Sequence, residues 1–430
     1  MFDQQRALVV GCSLLLLTGC KKDGDNTPPS VSILAPAAGS TVSLPDTIMV
    51  RVQLSDNELV EHLTVGVADA VGNPIGPFVS RHIGVSSATI DLAVPISNER
   101  IESGSYRIIA RASDGGSDGT AFSTLVLNAV PLRLRSVFIA PPSTAAGPVH
   151  LIRIDSTGTQ SFWTTLNDLG GTSIDLDHVY ATGWSSGALV RYGVNSGNNY
   201  TLWTNQSSGG SRYFFGAKVD PTDERFYVGT RDGYLRGWNN GGTASFTALL
   251  PSGWYSECTS VLETEVVSAA VNSAGTERRL ITFDRTNGVL ITQFTSDIEP
   301  VELYTKEASH ILVFGNRNGS GTITDRNAQS GGAFEMRSFP NEAIHAVARI
   351  DANNFVIALP SGLKRFNLAS NSVVSMAGSL ANALAYDAAT GALFVGVGQD
   401  LLTLDAISGT VVATTTLPIV VGRILPLDNR

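Results

Sequence analysis

From Leu132 to the C-terminus, apolar runs of strand length alternate with short polar turns, and one turn recurs at a fixed place in the pattern. It reads Asp155-Ser-Thr-Gly158, Val194-Asn-Ser-Gly197, Asn239-Asn-Gly-Gly242, Arg285-Thr-Asn-Gly288, Ala328-Gln-Ser-Gly331, Leu368-Ala-Ser-Asn371 and Ala406-Ile-Ser-Gly409. The flanking runs are the lengths and compositions of β-strands joined by tight hairpins. The turns return about every 40 residues, the length of one four-stranded blade of a β-propeller. Seven such turns predict a seven-bladed propeller over residues 131–430.

A second signature supports the repeat. Asp175, Asp220, Asp351 and Asp387 each close an apolar strand, and another apolar strand follows shortly after. Compare Lys218-Val-Asp-Pro-Thr-Asp-Glu-Arg-Phe-Tyr-Val-Gly229 with Tyr386-Asp-Ala-Ala-Thr-Gly-Ala-Leu-Phe-Val-Gly396. The first blade shows only three strands, Leu134–Ala140, Val149–Ile154 and Thr159–Thr164, whereas the chain ends with a spare one, Ile419–Leu427. The last strand is therefore expected to become the innermost strand of the first blade, which removes the open edges of an unclosed ring.

Before Leu132 the pattern is also β. Alternation runs through Val31 and Ile33, Ile48 to Leu54, Leu63 to Val67, Ala88 to Val94, Tyr106 to Ala112 and Ser123 to Leu127. About seven short strands in roughly 100 residues is the arithmetic of an immunoglobulin-like sandwich, here expected over residues 30–130. The fold class expected is thus all-β throughout.

The first residues read as an address. Arg6 precedes an apolar run from Ala7 to Leu17, too short to span a bilayer, which needs roughly 20 residues. It ends in Leu17-Thr-Gly-Cys20, so residues 1–19 are expected to be a signal peptide and 20–29 a tether. Cys12 would leave with the signal and Cys20 would be acylated, which leaves Cys258 as a lone thiol and no disulfide. With no CxxC and no Cys/His cluster, structural zinc is excluded on ligand count.

Charge and motifs narrow the chemistry. The formal net charge is −9 and Lys and Arg are scattered, so no nucleic-acid footprint is present. The six histidines share no metal-ligand spacing, and no GxSxG elbow, P-loop or dinucleotide fingerprint occurs. Asp56, Asp114 and Asp118 could surround calcium, but Asp and Gly from Asp114 to Gly119 are also what a hairpin turn requires. His178 beside Asp175 and Asp177 reads as a surface histidine in a turn, and Cys258 as a core thiol on an innermost strand of the fourth blade. No catalytic residue, metal or cofactor is assigned.

Four resemblances follow from these residues. Leu17-Thr-Gly-Cys20 resembles the bacterial lipobox, which implies diacylation at Cys20. The absence of Asp after that cysteine resembles outer-membrane sorting in a Gram-negative envelope, on the periplasmic or surface side. Thr27-Pro-Pro-Ser-Val-Ser-Ile-Leu-Ala-Pro36 and Tyr106-Arg-Ile-Ile-Ala-Arg-Ala-Ser-Asp114 resemble bacterial Ig-like modules of secreted proteins. The repeats, Leu402-Thr-Leu-Asp-Ala-Ile-Ser-Gly409 above all, resemble YVTN, WD40-like and quinoprotein-like propellers. Quinoprotein dehydrogenases typically carry a calcium carboxylate cluster and often a vicinal cysteine pair, so the quinone cofactor is not assigned.

Loops between second and third strands and between blades converge on a propeller's central channel. They gather Trp184, Arg231, Asp232, Trp254, Tyr255 and Arg317 as expected ligand-binding residues, with Arg212, Tyr213, Asn316, Gln399 and Asp400 beside them. Aromatic side chains next to arginine anchor protein or glycan partners at low entropic cost. The function expected is a non-catalytic envelope lipoprotein, held to the membrane by lipid on Cys20, whose propeller is a binding or assembly platform for envelope proteins or glycans. A glycan-active lyase or hydrolase would need carboxylates, Tyr or His converging on that face. A purely structural scaffold would leave the face polar and ungrooved.

Overall fold

The computed structural model describes residues 27–145, 147–206, 210–376, 378 and 380–429. The expected signal peptide, Cys20 and the tether up to residue 26 lie outside the described residues. Every regular element among the described residues is a β-strand. The chain divides into two compact units between Pro131 and Leu132.

In the N-terminal unit six strands join in the order Ser30–Ala35, Asp46–Ala68, Gly104–Ser113, Asp118–Asn128 and Ser40–Ser43, with Val79–Ile96 on the other side of Asp46–Ala68. The two runs expected as separate strands, Ile48 to Leu54 and Leu63 to Val67, form one 23-residue strand. Register slips between Ser55 and His62 explain the difference. The polar stretch from Asp56 to Glu58 stays extended across the irregularity, so one strand pairs first with Ser30–Ala35 and then with Gly104–Ser113. Val50, Val52, Leu54, Leu63, Val65, Ile108 and Leu125 are all fully buried in its core. Asp114 Oδ1 accepts the backbone N–H of Gly116 and Ser117, each at 2.6 Å, which is turn chemistry.

From Leu132 on, seven four-stranded antiparallel sheets follow one another, counted here first to seventh. Their inner strands are Arg423–Asp428, Gly171–Ile174, Phe214–Val219, Trp254–Val261, Glu299–Glu307, Ala346–Arg349 and Ala383–Asp387. Each inner strand touches the next, and Gly171–Ile174 also meets Arg423–Asp428, so they close a ring. The closing strand is the last one. Arg423–Asp428 pairs with Leu134–Ala140, running from Arg423 opposite Ala140 to Asp428 opposite Leu134.

All seven repeated turns fall between third and fourth strands, and all seven close on a left-handed residue: Gly158, Gly197, Gly242, Gly288, Gly331, Asn371 and Gly409. Glycine, and asparagine once, recur there because other side chains resist positive φ. The aspartates of the second signature cap the turns between first and second strands, at the same end of the sheets, where Val194 N–H donates to Asp177 O and Leu368 N–H to Asn353 O. Asp175, Asp220, Asp351 and Asp387 each accept the backbone N–H two residues on. His178 is held there, half-buried against Asp175, and is not a free surface histidine.

The core lies between neighbouring sheets. Tyr227, Leu235 and Phe246 of the third pack on Val266, Ile281 and Phe283 of the fourth, and Phe314 of the fifth on Phe355 and Phe366 of the sixth. Each such fully buried side chain contributes about 1.5–3 kcal/mol.

Candidate functional site: an arginine–aromatic shelf over a charged well

One end of the ring carries the turns between second and third strands. In the third sheet Phe214, at the start of the inner strand, pairs with Thr230, so the approach from Arg212 lies beside the Arg231 turn. The backbone joins these pieces: Tyr213 N–H donates to Trp184 O and Arg231 N–H to Tyr213 O.

The Trp184 loop is fixed by a residue that the pattern of strands does not flag. Asp168 is 2% exposed. Its carboxylate accepts the N–H of Ser185, Ser186 and Gly187 at 2.8, 2.8 and 2.9 Å and the Ser186 hydroxyl at 3.1 Å. Burial works against the anion, but these bonds prevail and hold its carboxyl below the usual range.

On this frame five side chains form a continuous stack. The Arg212 guanidinium lies 4.8 Å from the Trp184 ring centre and 5.0 Å from that of Phe215. Phe215 stacks on Tyr255 at 5.2 Å with the rings 5° from parallel. Arg231 covers Tyr255 at 5.6 Å. Arg212 donates Nε to Phe214 O at 2.8 Å and Nη2 to Gly170 O at 3.0 Å, so its plane is locked. Trp184, Phe215 and Tyr255 are half-buried and Arg231 is exposed, which makes the stack a shelf spanning the second to fourth sheets.

The structure thus brings together Trp184, Arg231 and Tyr255 of the expected residues, with Arg212 and Phe215 between them. Trp254 is elsewhere. It is 6% exposed, packs among Tyr227, Leu250 and Phe283, and carries Arg279 at 4.3 Å, so it has no face to offer a ligand. Tyr213 is buried and donates no free edge to solvent. Exposed Asp232 pairs with Arg236 at 2.7 Å, and Arg236 in turn lies over Trp203. Arg317 pairs with Asp297 and Glu335 in the fifth sheet, away from the shelf. Asn316 clamps Ile344 through two backbone bonds, and Asp400 accepts from Thr416.

Behind the shelf a cavity of about 250 Å³ opens along the ring axis. Its charged lining comes from Arg212, Lys218, Glu257, Glu302 and Arg423. Sequence reasoning missed four of these five. The reason is local: three successive inner strands carry a register slip at one level, Phe215/Lys218, Ser256/Cys258 and Pro300/Glu302. Bulges re-aim side chains beside sites. At Gly216, φ is +59° and an added Cβ would lie 2.4 Å from Glu257 O, so only glycine permits the close approach of the third and fourth inner strands. A charge inside an apolar inner strand, as in Ala217-Lys218-Val219 and Val301-Glu302-Leu303, was the available sequence signal.

Lys218 Nζ donates to Glu302 Oε1 at 2.8 Å and to Leu303 O at 2.9 Å, tying the third sheet to the fifth past Cys258. Burial opposes both charges, yet each holds the other: Lys218 is raised and Glu302, aided by Arg423, is lowered. Burial pushes Glu257 up and pulls Arg212 down. Burial, then Glu302, pushes the Cys258 thiol far up, so it stays protonated at neutral pH and is no nucleophile. No histidine is among the lining residues. Among the described residues no group of three or more His, Cys, Asp or Glu side chains could hold a metal ion.

Comparison with known proteins agrees with both folds. The model of a bacterial Ig domain matches residues 29–88. A protein from Lactobacillus plantarum is structurally similar, with TM-score 0.52 and 12% identity over 69% of this chain and 100% of that one. The crystal structure of BamB from Moraxella catarrhalis gives TM-score 0.39 and 15% identity over 57% of this chain and 75% of that one. A chain of the mitotic checkpoint complex gives 0.46 and 14% over 60% and 80%. No curated protein sequence matches the chain. The chain is all-β, with a bacterial Ig-like module followed by a propeller.

Proposed function

We propose that this chain is a non-catalytic cell-envelope lipoprotein of a Gram-negative bacterium, anchored in the outer membrane through Cys20, whose seven-bladed propeller captures a protein partner on one end. The observation that carries the reading is the Trp184–Arg212–Phe215–Tyr255–Arg231 shelf. Rigid aromatic area flanked by guanidinium edges is the composition of interface hot spots. The lipobox resemblance at Leu17-Thr-Gly-Cys20 and the bacterial Ig match support the location.

The test is capture from detergent-solubilised envelope by the full chain beside a Trp184→Ala/Arg231→Ala double variant, with a glycan array run in parallel. A protein retained by the wild type and lost by the variant is the expected result. Glycan binding without protein capture, or identical capture by both chains, would remove the reading.

A further inference from the structure

The cavity behind the shelf has a chemistry of its own. Three cations, Arg212, Lys218 and Arg423, share it with two carboxyls, Glu257 and Glu302. Lys218 and Glu302 neutralise one another at 2.8 Å, with side chains 17% and 16% exposed. Glu257 is weakly matched, its nearest cation being Arg278 at 3.5 Å, and burial pushes it toward the neutral form. The surplus is therefore positive and sits on Arg212 and Arg423.

Both guanidiniums have edges to spare. Arg423 is exposed and has no side-chain hydrogen bond or ion pair among the described residues. Arg212 uses Nε and Nη2 on carbonyls and keeps Nη1. Their placement is graded along the axis. Arg423 opens its strand opposite Ala140, next to the Pro141–Ser143 turn at the shelf end. Lys218 lies four residues beyond Phe214 on its strand, roughly 10 Å deeper.

The geometry points to a carboxylate-binding well, with Arg423 and Arg212 receiving the carboxylate at the mouth and the Lys218–Glu302 tie forming the floor. A planar, singly charged acceptor suits a guanidinium fork and matches the surplus charge. A dianionic phosphate would bring its second charge toward the Glu302 carboxylate. The carboxylate belongs to a small free acid or to an acidic side chain of a bound segment, and both present the same group. The assignment rests on the cavity and is independent of what the shelf captures.

The test is calorimetric titration of the full chain with glutarate, with the blocked tripeptide acetyl-Gly-Glu-Gly-amide, and with inorganic phosphate, at low ionic strength. Wild type is expected to bind a carboxylate probe in preference to phosphate. Arg423→Gln is expected to weaken that binding about tenfold, since a charge-assisted hydrogen bond is lost, and Arg423→Lys to recover part of it. Glutarate alone binding identifies a free acid as the source; binding of the tripeptide as well, or alone, identifies an acidic side chain. Unchanged binding in a folded Arg423→Gln chain, preference for phosphate, or no binding of either carboxylate probe overturns the assignment. Envelope capture is read on the same preparations, so a failed well is distinguishable from a failed shelf.

Discussion

Replacing Lys218 with methionine tests how the channel wall is held. The stem is kept and the charge removed, leaving Glu302 with 16% side-chain exposure and without its 2.8 Å partner. Breaking a buried pair in this way costs about 3–5 kcal/mol. Partial exposure to the cavity and the remaining field of Arg423 reduce that to about 2–3 kcal/mol at pH 7. The sign of the pH dependence is specific. In the wild type Glu302 is lowered, so its contribution is present above its unfolded value and is lost as pH falls through the folded one. In Lys218→Met burial dominates and raises the carboxyl, so the variant gains stability as pH falls from 7 toward 5. All five tryptophans, Trp163, Trp184, Trp203, Trp238 and Trp254, follow Leu132, so urea unfolding followed by tryptophan fluorescence reads the propeller unit alone. The expected midpoint loss is about 1 M at pH 7, shrinking at pH 5. Lys218→Met/Glu302→Gln should recover most of it. An equal deficit at both pH values, or a double variant no better than the single, would refute the reasoning.

Other perturbations address separate parts of the same unit. Asp168→Asn removes the anion under the Trp184 loop and is expected to cost about 2 kcal/mol and to speed amide exchange at Ser185, Ser186 and Gly187 selectively; unchanged protection there would show that the loop is held otherwise. Gly216→Ala places a Cβ 2.4 Å from Glu257 O at φ +59°, so a loss of about 2–4 kcal/mol in urea is expected; wild-type stability would show that the two inner strands part freely. Asp428 is pushed up to about 7 by burial and by hydrogen bonding to Asp387 across the seam between the seventh and first sheets. Its folded value lies above its unfolded one, so that stability is full below about pH 4 and falls as pH rises through 7. Asp428→Asn is expected to be about 1–2 kcal/mol more stable than wild type at pH 8, discounting for partial exposure, with the gap closing by pH 5; a gap independent of pH would refute it.

What was legible in the sequence was whatever backbone conformation forces on residue type. Gly158 through Gly409 recur because a third-to-fourth-strand turn closes at positive φ, and the aspartates recur because the first-to-second-strand turns beside them need a side-chain acceptor. Those two constraints are local, so they survive as spacing. The strand at Arg423–Asp428 was legible for a different reason: a first blade one strand short and one spare strand after the last blade have one economical match. In the N-terminal unit the same reasoning divided Asp46–Ala68 in two, because a polar stretch that stays extended looks like a loop when only alternation is read.

The site was legible only in part, because its parts obey different rules. Trp184, Arg231 and Tyr255 could be placed by loop position, since every loop of one kind emerges at the same end of the ring. Position alone does not separate them from Trp254 and Arg317, which emerge at that end too and are consumed by packing and by Asp297 and Glu335. The well is set by slips at one level of three inner strands that are far apart in sequence. A one-residue slip changes which side chains face the axis without changing composition or period. Lys218 and Glu302 meet only because the ring brings the third and fifth sheets to the same depth, 84 residues apart in the chain. Repeats therefore announce the scaffold, while the irregularities that interrupt them build the charged well.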